Sequence, residues 1–159
     1  MRQLYLDLDG VIADFNGGYL REFGIKVHHD LPEPPDFWKR IDDHGTFFLD
    51  LPVMHDAYDL WDAAKRCHPS PIILTGIPRN PIVETQKRQW VAREFGSDIK
   101  VICCPSRDKA LHGKPGDVLV DDWTKYRDIW ERMGGIFILH HGAHESWEQM
   151  AAIFGRDFL

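Results

Sequence analysis

Short apolar runs alternate with longer amphipathic stretches along most of the chain. The apolar runs predict five strands, at residues 4–8, 72–75, 99–103, 118–121 and 136–139. Apolar positions at helical spacing predict helices at 81–95 and 123–133, and Ser146 is expected to begin the last helix. Strands that alternate with helices predict an α/β fold, with a mainly parallel five-stranded central sheet covered by helices on both faces.

The stretch at 16–70 departs from this alternation. It is long, rich in proline at 31–35, and crowded with aromatic side chains. Helices are predicted within it at 17–23, 35–42 and 57–67, each short enough to need tertiary support. We therefore predict a small helical cap at 16–70, inserted after the first strand of a core domain that comprises 1–15 and 71–159.

Composition and charge narrow the range of functions. The chain has 159 residues, which suits one catalytic module, and a net charge of −6, which argues against binding long nucleic acid. No apolar run approaches the roughly 20 residues that span a bilayer, so no membrane association is expected. The three cysteines, Cys67, Cys103 and Cys104, have no metal-ligand spacing and are expected to be buried reduced thiols. The first strand leaves no room for a signal peptide, so a cytoplasmic location is expected, and a homodimer is left open.

Side chains that can take part in phosphoryl chemistry follow four of the predicted strands. In order along the chain they are Asp7 and Asp9, then Thr75 and Gly76, then the segment 106–109 with Lys109, then Asp121 and Asp122. Ligands of open parallel sheets bind at the carboxyl ends of the strands, so these groups are expected to meet in one site. The pattern Asp-x-Asp alone also occurs in turns and calcium loops. The succession of carboxylate, hydroxyl, ammonium and carboxylate groups after four strands is what favours a site.

These residue types suit the transfer of a phosphoryl group. Mg²⁺ prefers oxygen ligands, and Asp7 and Asp121 can hold it together with the main-chain carbonyl of Asp9. A carboxylate can attack phosphorus to form an aspartyl-phosphate, while a second acid protonates the leaving alkoxide. A hydroxyl, a lysine and backbone amides can stabilise the charge on the transferring group.

The order of these motifs resembles the haloacid dehalogenase superfamily, whose members are mostly Mg²⁺-dependent phosphatases. The matching segments are Asp-Leu-Asp-Gly-Val at 7–11, Ile-Leu-Thr-Gly at 73–76, Arg-Asp-Lys at 107–109 and Leu-Val-Asp-Asp at 119–122. Together with Phe-Phe-Leu-Asp-Leu at 47–51, they are similar to the 5′(3′)-deoxyribonucleotidases. The resemblance spans nearly the whole chain and implies a three-layer Rossmann-like fold.

The resemblance also implies roles for single residues. Asp7 would be the nucleophile and Asp9 the general acid and base. Thr75 and Lys109 would bind the phosphoryl group, with Lys114 a less favoured alternative to Lys109. The implied ligands of Mg²⁺ are Asp7, the Asp9 carbonyl and Asp121, with Asp122 in a supporting position.

Substrate contacts are expected at further positions. Arg107 and Lys87 stand where the family places cations near phosphate, and Gly76 follows the motif threonine at a position where a hydroxyl residue is common. Phe47 and Phe48 are the first choices for stacking on a base. The insertion is shorter than in the animal enzymes, so the resemblance does not define which residues form the base pocket.

The chain is therefore expected to hydrolyse nucleoside or deoxynucleoside monophosphates with Mg²⁺, through an aspartyl-phosphate intermediate on Asp7. Alternatives are a phosphatase or phosphomutase for sugar phosphates and a non-catalytic nucleotide-binding relative. Dehalogenase chemistry does not need Asp9 and is disfavoured, and the absence of a basic stripe disfavours a polynucleotide 3′-phosphatase. A phosphonatase would need one of the cap lysines, Lys26, Lys39 or Lys65. The histidines at 28–29, 140, 141 and 144 are interpreted as exposed side chains rather than metal ligands.

Overall fold

Residues 1–155 are described by the computed structural model of the chain. Its strands are β1 (Leu4–Leu6), β2 (Ile72–Gly76), β3 (Val101–Cys104), β4 (Val118–Asp121) and β5 (Ile136–Leu139). They form one parallel sheet with the order β3-β2-β1-β4-β5. β1 is the central strand and is buried along its whole length, which accounts for its apolar residues. The predicted α/β fold with a five-stranded parallel sheet is confirmed.

The strand order changes direction at β1. The chain moves outward from β1 to β2 and β3, then continues on the other side of β1 with β4 and β5. Asp7 directly follows β1, and Asp121 ends β4, its neighbour. Open parallel sheets bind ligands outside the carboxyl ends of the strands at such a change of direction. The topology therefore places these two carboxylates at the expected site.

The helices alternate with the strands outside the insertion. They are α1 (Phe15–Phe23), α2 (Phe37–His44), α3 (Ala57–Cys67), α4 (Pro81–Glu94), α5 (Arg127–Arg132) and α6 (Ala143–Phe154), with 3₁₀ helices at Ser106–His112 and Thr124–Tyr126. α4 begins where its sequence predicts, because the Asn80 side chain accepts the Ile82 N–H at 3.2 Å and proline occupies the first helical position. Within residues 1–155, we find no helix that combines the length and the apolar character needed to cross a bilayer.

Several elements differ from the prediction. The segment predicted as one helix at 123–133 is a 3₁₀ turn followed by α5, and the 3₁₀ helix Ser106–His112 was not predicted. α6 begins at Ala143 instead of Ser146, because the Asp56 carboxylate accepts the Ala143 N–H at 2.8 Å. Cys67 and Cys104 are buried as expected, whereas Cys103 is partly exposed, and these thiols are free.

The two ends of the insertion lie side by side. Ala13 forms an antiparallel bridge with Val53, and the Asp14 N–H donates to the Pro52 carbonyl at 2.8 Å. α3 follows this junction and packs against α6 of the core. The cap boundary at residue 70 stays a prediction, and these contacts favour an earlier one, near Val53.

Candidate active site

Lys109 joins the carboxyl ends of the two central strands. Its ammonium group donates to Asp7 Oδ1 at 2.9 Å and to Asp121 Oδ2 at 3.0 Å. The Asp7 N–H donates to the Val120 carbonyl at 2.9 Å, so the pairing of β1 with β4 fixes the separation of the two carboxylates. Each of these three charged side chains belongs to a residue no more than 8% exposed. They form a buried charged group at the edge of the sheet.

Asp122 brings a third carboxylate to this group. One oxygen each from Asp7, Asp121 and Asp122 lie within 4.8 Å of one another. Gly10 gives Asp122 the necessary space, because a Cβ at Gly10 would lie 2.1 Å from Asp122 Oδ2. Gly10 also has a φ of +81°, a conformation that side chains disfavour. The turn after β1 and the position of Asp122 therefore both require glycine here.

Burial and neighbouring carboxylates raise the pKa values of Asp7 and Asp122. Burial, and then the charge of Asp121, raises the pKa of Asp7 to about 6, although Lys109 opposes this shift. Burial and the charges of Asp7 and Asp121 raise the pKa of Asp122 to about 9. Burial disfavours the charge of Lys109, but its two carboxylate partners raise the pKa of the amine above its ordinary value. The group therefore carries more negative charge than Lys109 balances.

This group has the chemistry of a magnesium site. Its donors are oxygens only, they converge at the end of two adjacent strands, and a divalent cation would relieve their mutual repulsion. Asp7, Asp121 and Asp122 are the residues that would hold the ion. A second convergent group in the described part of the chain, His28, His29 and Asp30, is fully on the surface.

Lys87 organises the side of the site next to β2. Its ammonium group donates to Asp9 Oδ2 at 2.8 Å, to Thr75 Oγ1 at 2.9 Å and to the Gly76 carbonyl at 2.8 Å. Burial raises the pKa of Asp9, and the Lys87 charge opposes this shift. Asp9 Oδ1 is buried and has no hydrogen-bond partner among residues 1–155. This oxygen is available to hold a proton.

A cleft of about 580 Å³ opens over these charged residues. The insertion contributes the aromatic side chains of Phe37, Trp38 and Phe48 to its lining, and Phe15 lines it directly before the insertion. The segment around His28 and His29 also lines it, as do Trp123, Lys125 and Tyr126 of the core. The His29 ring stacks on the Trp123 indole with 5.8 Å between centroids, so the insertion contacts the loop after β4.

Most of the predicted site residues line this cleft. They are Asp7, Asp9, Gly76, Lys87, Phe48, Lys109, Asp121 and Asp122. Thr75 is 1% exposed, and its hydroxyl is bonded to Lys87 beside the cleft.

Two predicted substrate contacts lie elsewhere. Phe47 is 2% exposed and packs against the rings of Phe15, Tyr19 and Phe23 at 5.4 to 5.9 Å, so it belongs to the core of the insertion. Arg107 is exposed and does not line the cleft, because the 3₁₀ helix directs its neighbour Lys109 inward instead. Neither position supports contact with a substrate.

Other lining residues have only weak signals in the sequence. Ser106 stands three residues before Lys109, which is one turn of a 3₁₀ helix, but that helix was not predicted. Trp123 and Lys125 follow the strand-end pair Asp121 and Asp122. This position in the sequence is the signal that could have identified them as lining residues. Asn16 also lines the cleft, at the start of α1.

His140 differs from the expectation of an exposed histidine. It is 6% exposed, and its Nδ1 lies 2.7 Å from the Ser146 hydroxyl. The backbone N–H of His140 donates to the backbone carbonyl of Asp121 at 2.8 Å. This bond stabilises the end of β4. His141 and His144 are exposed, as expected. His140 belongs to none of the convergent metal-ligating groups found in residues 1–155.

Both the sequence and the structure of the chain were compared with those of known proteins. No protein-family model matches the chain. The mitochondrial 5′(3′)-deoxyribonucleotidase of Mus musculus is 26% identical over 143 residues, covering 76% of this chain and 64% of that protein. The chain thus spans less than two thirds of the length of this relative.

Two solved structures share the fold. A hydrolase from Streptococcus pneumoniae TIGR4 matches with a TM-score of 0.56 at 11% identity, covering 94% of this chain and 97% of that one. A HAD family hydrolase from Deinococcus radiodurans R1 was solved with bound phosphate and sodium. It matches with a TM-score of 0.52 at 13% identity, covering 94% of this chain and 88% of that one.

The chain therefore shares the α/β fold of these two hydrolases, one of which is a HAD family hydrolase. The resemblance predicted from the four strand-end motifs is confirmed, and a deoxyribonucleotidase is among the sequence relatives.

Proposed function

We propose that this protein is a Mg²⁺-dependent phosphomonoesterase that hydrolyses nucleoside and deoxynucleoside monophosphates through an aspartyl-phosphate intermediate on Asp7. The observation that carries the proposal is the buried group of Asp7, Asp121 and Asp122, bridged by Lys109, beneath a cleft of about 580 Å³. The relative from Mus musculus and the phosphate-bound neighbour support the same chemistry.

Asp7 is the proposed nucleophile. Lys109 holds this carboxylate through Oδ1, which orients it at the end of β1. An Asp7 oxygen attacks phosphorus, the bond from phosphorus to the ester oxygen breaks, and an acyl phosphate forms on Asp7. A bound Mg²⁺ would neutralise charge on the carboxylates and on the phosphoryl oxygens. The amine of Lys109 adds a fixed positive charge at the same place.

Asp9 is the proposed acid and base. Its pKa is raised by burial, which favours a protonated carboxyl, and Oδ1 has no partner within the described residues. In the first step Asp9 gives its proton to the leaving alkoxide. In the second step it takes a proton from water, which attacks phosphorus and breaks the bond to Asp7, so inorganic phosphate leaves and both residues are regenerated.

The lining of the cleft supports a nucleotide as substrate. Three aromatic side chains of the insertion, Phe37, Trp38 and Phe48, line it together with Phe15 and the charged residues. Stacking of a base on an aromatic ring contributes about 1 to 3 kcal/mol in nucleic-acid binders. A small substrate also suits the net charge of −6, because such a chain has little affinity for long polyanions.

The test is phosphate release from ribo- and deoxyribonucleoside 5′- and 3′-monophosphates, with hexose phosphates for comparison. We expect release in Mg²⁺, loss of release in EDTA, and a decrease in kcat of at least about a thousandfold in Asp7→Asn. Asp98→Asn is the matched control, because Asp98 is exposed and is not among the residues that line the cleft. An equal decrease in both variants would contradict a role of Asp7 in the chemistry.

The substrate panel also separates the alternative functions. Turnover of hexose phosphates alone would keep the catalytic residues and overturn the nucleotide assignment. Binding of nucleotides without any turnover in Mg²⁺ would indicate the non-catalytic relative.

A further inference from the structure

Ser106 lies at the cleft with a free hydroxyl group. It begins the 3₁₀ helix Ser106–His112, directly after β3, and Lys109 follows one turn later. Both side chains line the cleft. Lys109 is occupied by Asp7 and Asp121, whereas the Ser106 hydroxyl has no hydrogen-bond partner among residues 1–155. An unpaired hydroxyl in the cleft that holds the proposed nucleophile can donate a hydrogen bond to a ligand.

The Ser106 hydroxyl fills the space that a side chain at position 76 would take. A Cβ at Gly76 would lie 1.8 Å from Ser106 Oγ, 2.9 Å from its Cβ and 3.1 Å from its Cα. The φ of Gly76 lies outside the left-handed region, so the close approach of Ser106, rather than the backbone conformation, excludes larger residues here. A hydroxyl therefore reaches this part of the cleft from β3 rather than from β2.

The other donors around this position are already engaged. Lys87 donates to Asp9, Thr75 and the Gly76 carbonyl, and these bonds use its three hydrogens. The Thr75 hydroxyl accepts from Lys87 and is 1% exposed. Of the hydroxyl groups at the ends of β2 and β3, that of Ser106 is the one that lines the cleft.

We propose that Ser106 is a substrate-binding residue whose hydroxyl donates a hydrogen bond to a non-bridging oxygen of the phosphoryl group, in the space left by Gly76. This inference rests on the proposed phosphomonoesterase function. A donor held on a short helix next to Lys109 is preorganised for the charge that develops on the transferring group. A hydrogen bond to an ionised acceptor is also stronger than one between neutral groups.

The first experiment measures the affinity of inorganic phosphate, the proposed product, by calorimetry in Mg²⁺. We expect Ser106→Ala to bind phosphate about tenfold more weakly than the wild type and to lose about 10- to 100-fold in kcat/KM. The control is Ser97→Ala, because Ser97 is an exposed serine outside the cleft lining. Unchanged phosphate affinity in Ser106→Ala would overturn the inference.

The second experiment returns the hydroxyl to β2. Gly76→Ser alone is expected to be inactive and destabilised, because its Cβ collides with Ser106 Oγ. The double variant Gly76→Ser with Ser106→Gly removes this collision, and we expect it to recover more than half of the phosphate affinity that Ser106→Gly loses. If the double variant folds but binds phosphate no better than Ser106→Gly does, Ser106 has only a packing role and the inference is overturned.

The two proposals fail in different ways. If the wild type releases no phosphate from any phosphomonoester, the proposed function fails. The phosphate affinities of wild type and Ser106→Ala still decide whether Ser106 binds a phosphoryl group. If the wild type is active and Ser106→Ala matches it in both measurements, the role of Ser106 fails and the proposed function stands.

Discussion

At the scale of single residues, Gly10 links the turn after β1 to the position of Asp122. Its φ is +81°, and a Cβ there would lie 2.1 Å from Asp122 Oδ2. We predict that Gly10→Ala costs about 2 kcal/mol or more of unfolding free energy and weakens Mg²⁺ binding at least tenfold, because Asp122 must move. Urea denaturation and calorimetric Mg²⁺ titration measure the two effects.

Gly24→Ala is the matched control for this prediction. Gly24 ends α1 with a φ of +68°, and a Cβ there would meet nothing within 4 Å. We expect it to cost about 1 kcal/mol through backbone strain alone, with unchanged Mg²⁺ affinity. Equal Mg²⁺ affinity in the two glycine variants would show that Gly10 does not position Asp122.

Asp122 gives the metal-free protein a distinctive pH dependence. Its pKa in the folded state is raised to about 9, so folding favours the protonated carboxyl. The corresponding stability is complete below the ordinary pKa of about 4 and is lost as the pH rises towards 9. In EDTA, Asp122→Asn should therefore be more stable than the wild type at pH 8, by about 10 °C or more in Tm, and nearly equal to it at pH 4.

Thermal melts from pH 4 to pH 9 measure this effect. Asp98→Asn removes an exposed carboxylate and should keep a constant, small difference from the wild type. If the difference between wild type and Asp122→Asn does not grow with pH, the Asp122 carboxyl is not held in its neutral form.

At the scale of elements, Asp56 connects the end of the insertion to α6. Its Oδ2 accepts the Ala143 N–H at 2.8 Å, at the first turn of a helix whose own N-cap, Gly142, has no side chain. We predict that Asp56→Ala lowers the unfolding free energy by about 1 kcal/mol, through the loss of this cap and of a negative charge at the helix N-terminus. Urea denaturation tests it, with Asp59→Ala on the exposed face of α3 as the control.

The same contact shows which elements a sequence can define. The strands were predicted to within a few residues, because buried parallel strands need continuous apolar runs. The start of α6 was misplaced at Ser146, because the residue that caps it, Asp56, is 87 positions away in the chain. Ser146 is instead bonded to His140, a pairing that depends on the packing of α6 against β5.

The charged part of the site could be predicted for a related reason. Parallel strands end at one edge of the sheet, so aspartates at strand ends converge regardless of the loops between them. The aromatic part could not be predicted in the same way. Phe47 and Phe48 are adjacent in sequence, but Phe47 packs into the insertion and Phe48 lines the cleft, with Lys87 lying 5.0 Å from the centre of its ring.

At the scale of the whole molecule, a bound cation should stabilise the fold. The carboxylates that would hold Mg²⁺ come from β1 and from β4 and the residue after it, and their repulsion in the folded state is reflected in the raised pKa values of Asp7 and Asp122. Unfolding separates these carboxylates, so the ion binds the native state far better than the unfolded chain. At a concentration 100 times its Kd, Mg²⁺ should add about 2.7 kcal/mol, which raises Tm by about 5 to 10 °C for a chain of this length.

Differential scanning fluorimetry in MgCl₂ or in EDTA, with NaCl to match the ionic strength, measures this stabilisation. We expect the full increase in Tm for the wild type and less than a third of it for Asp121→Asn, which keeps the side-chain volume but removes one ligand charge. Asp98→Asn should behave as the wild type does. An ion that Asp121 binds must bind more weakly to Asp121→Asn. An equal increase in Tm for this variant, or an increase that NaCl reproduces, would therefore contradict Mg²⁺ binding at Asp121.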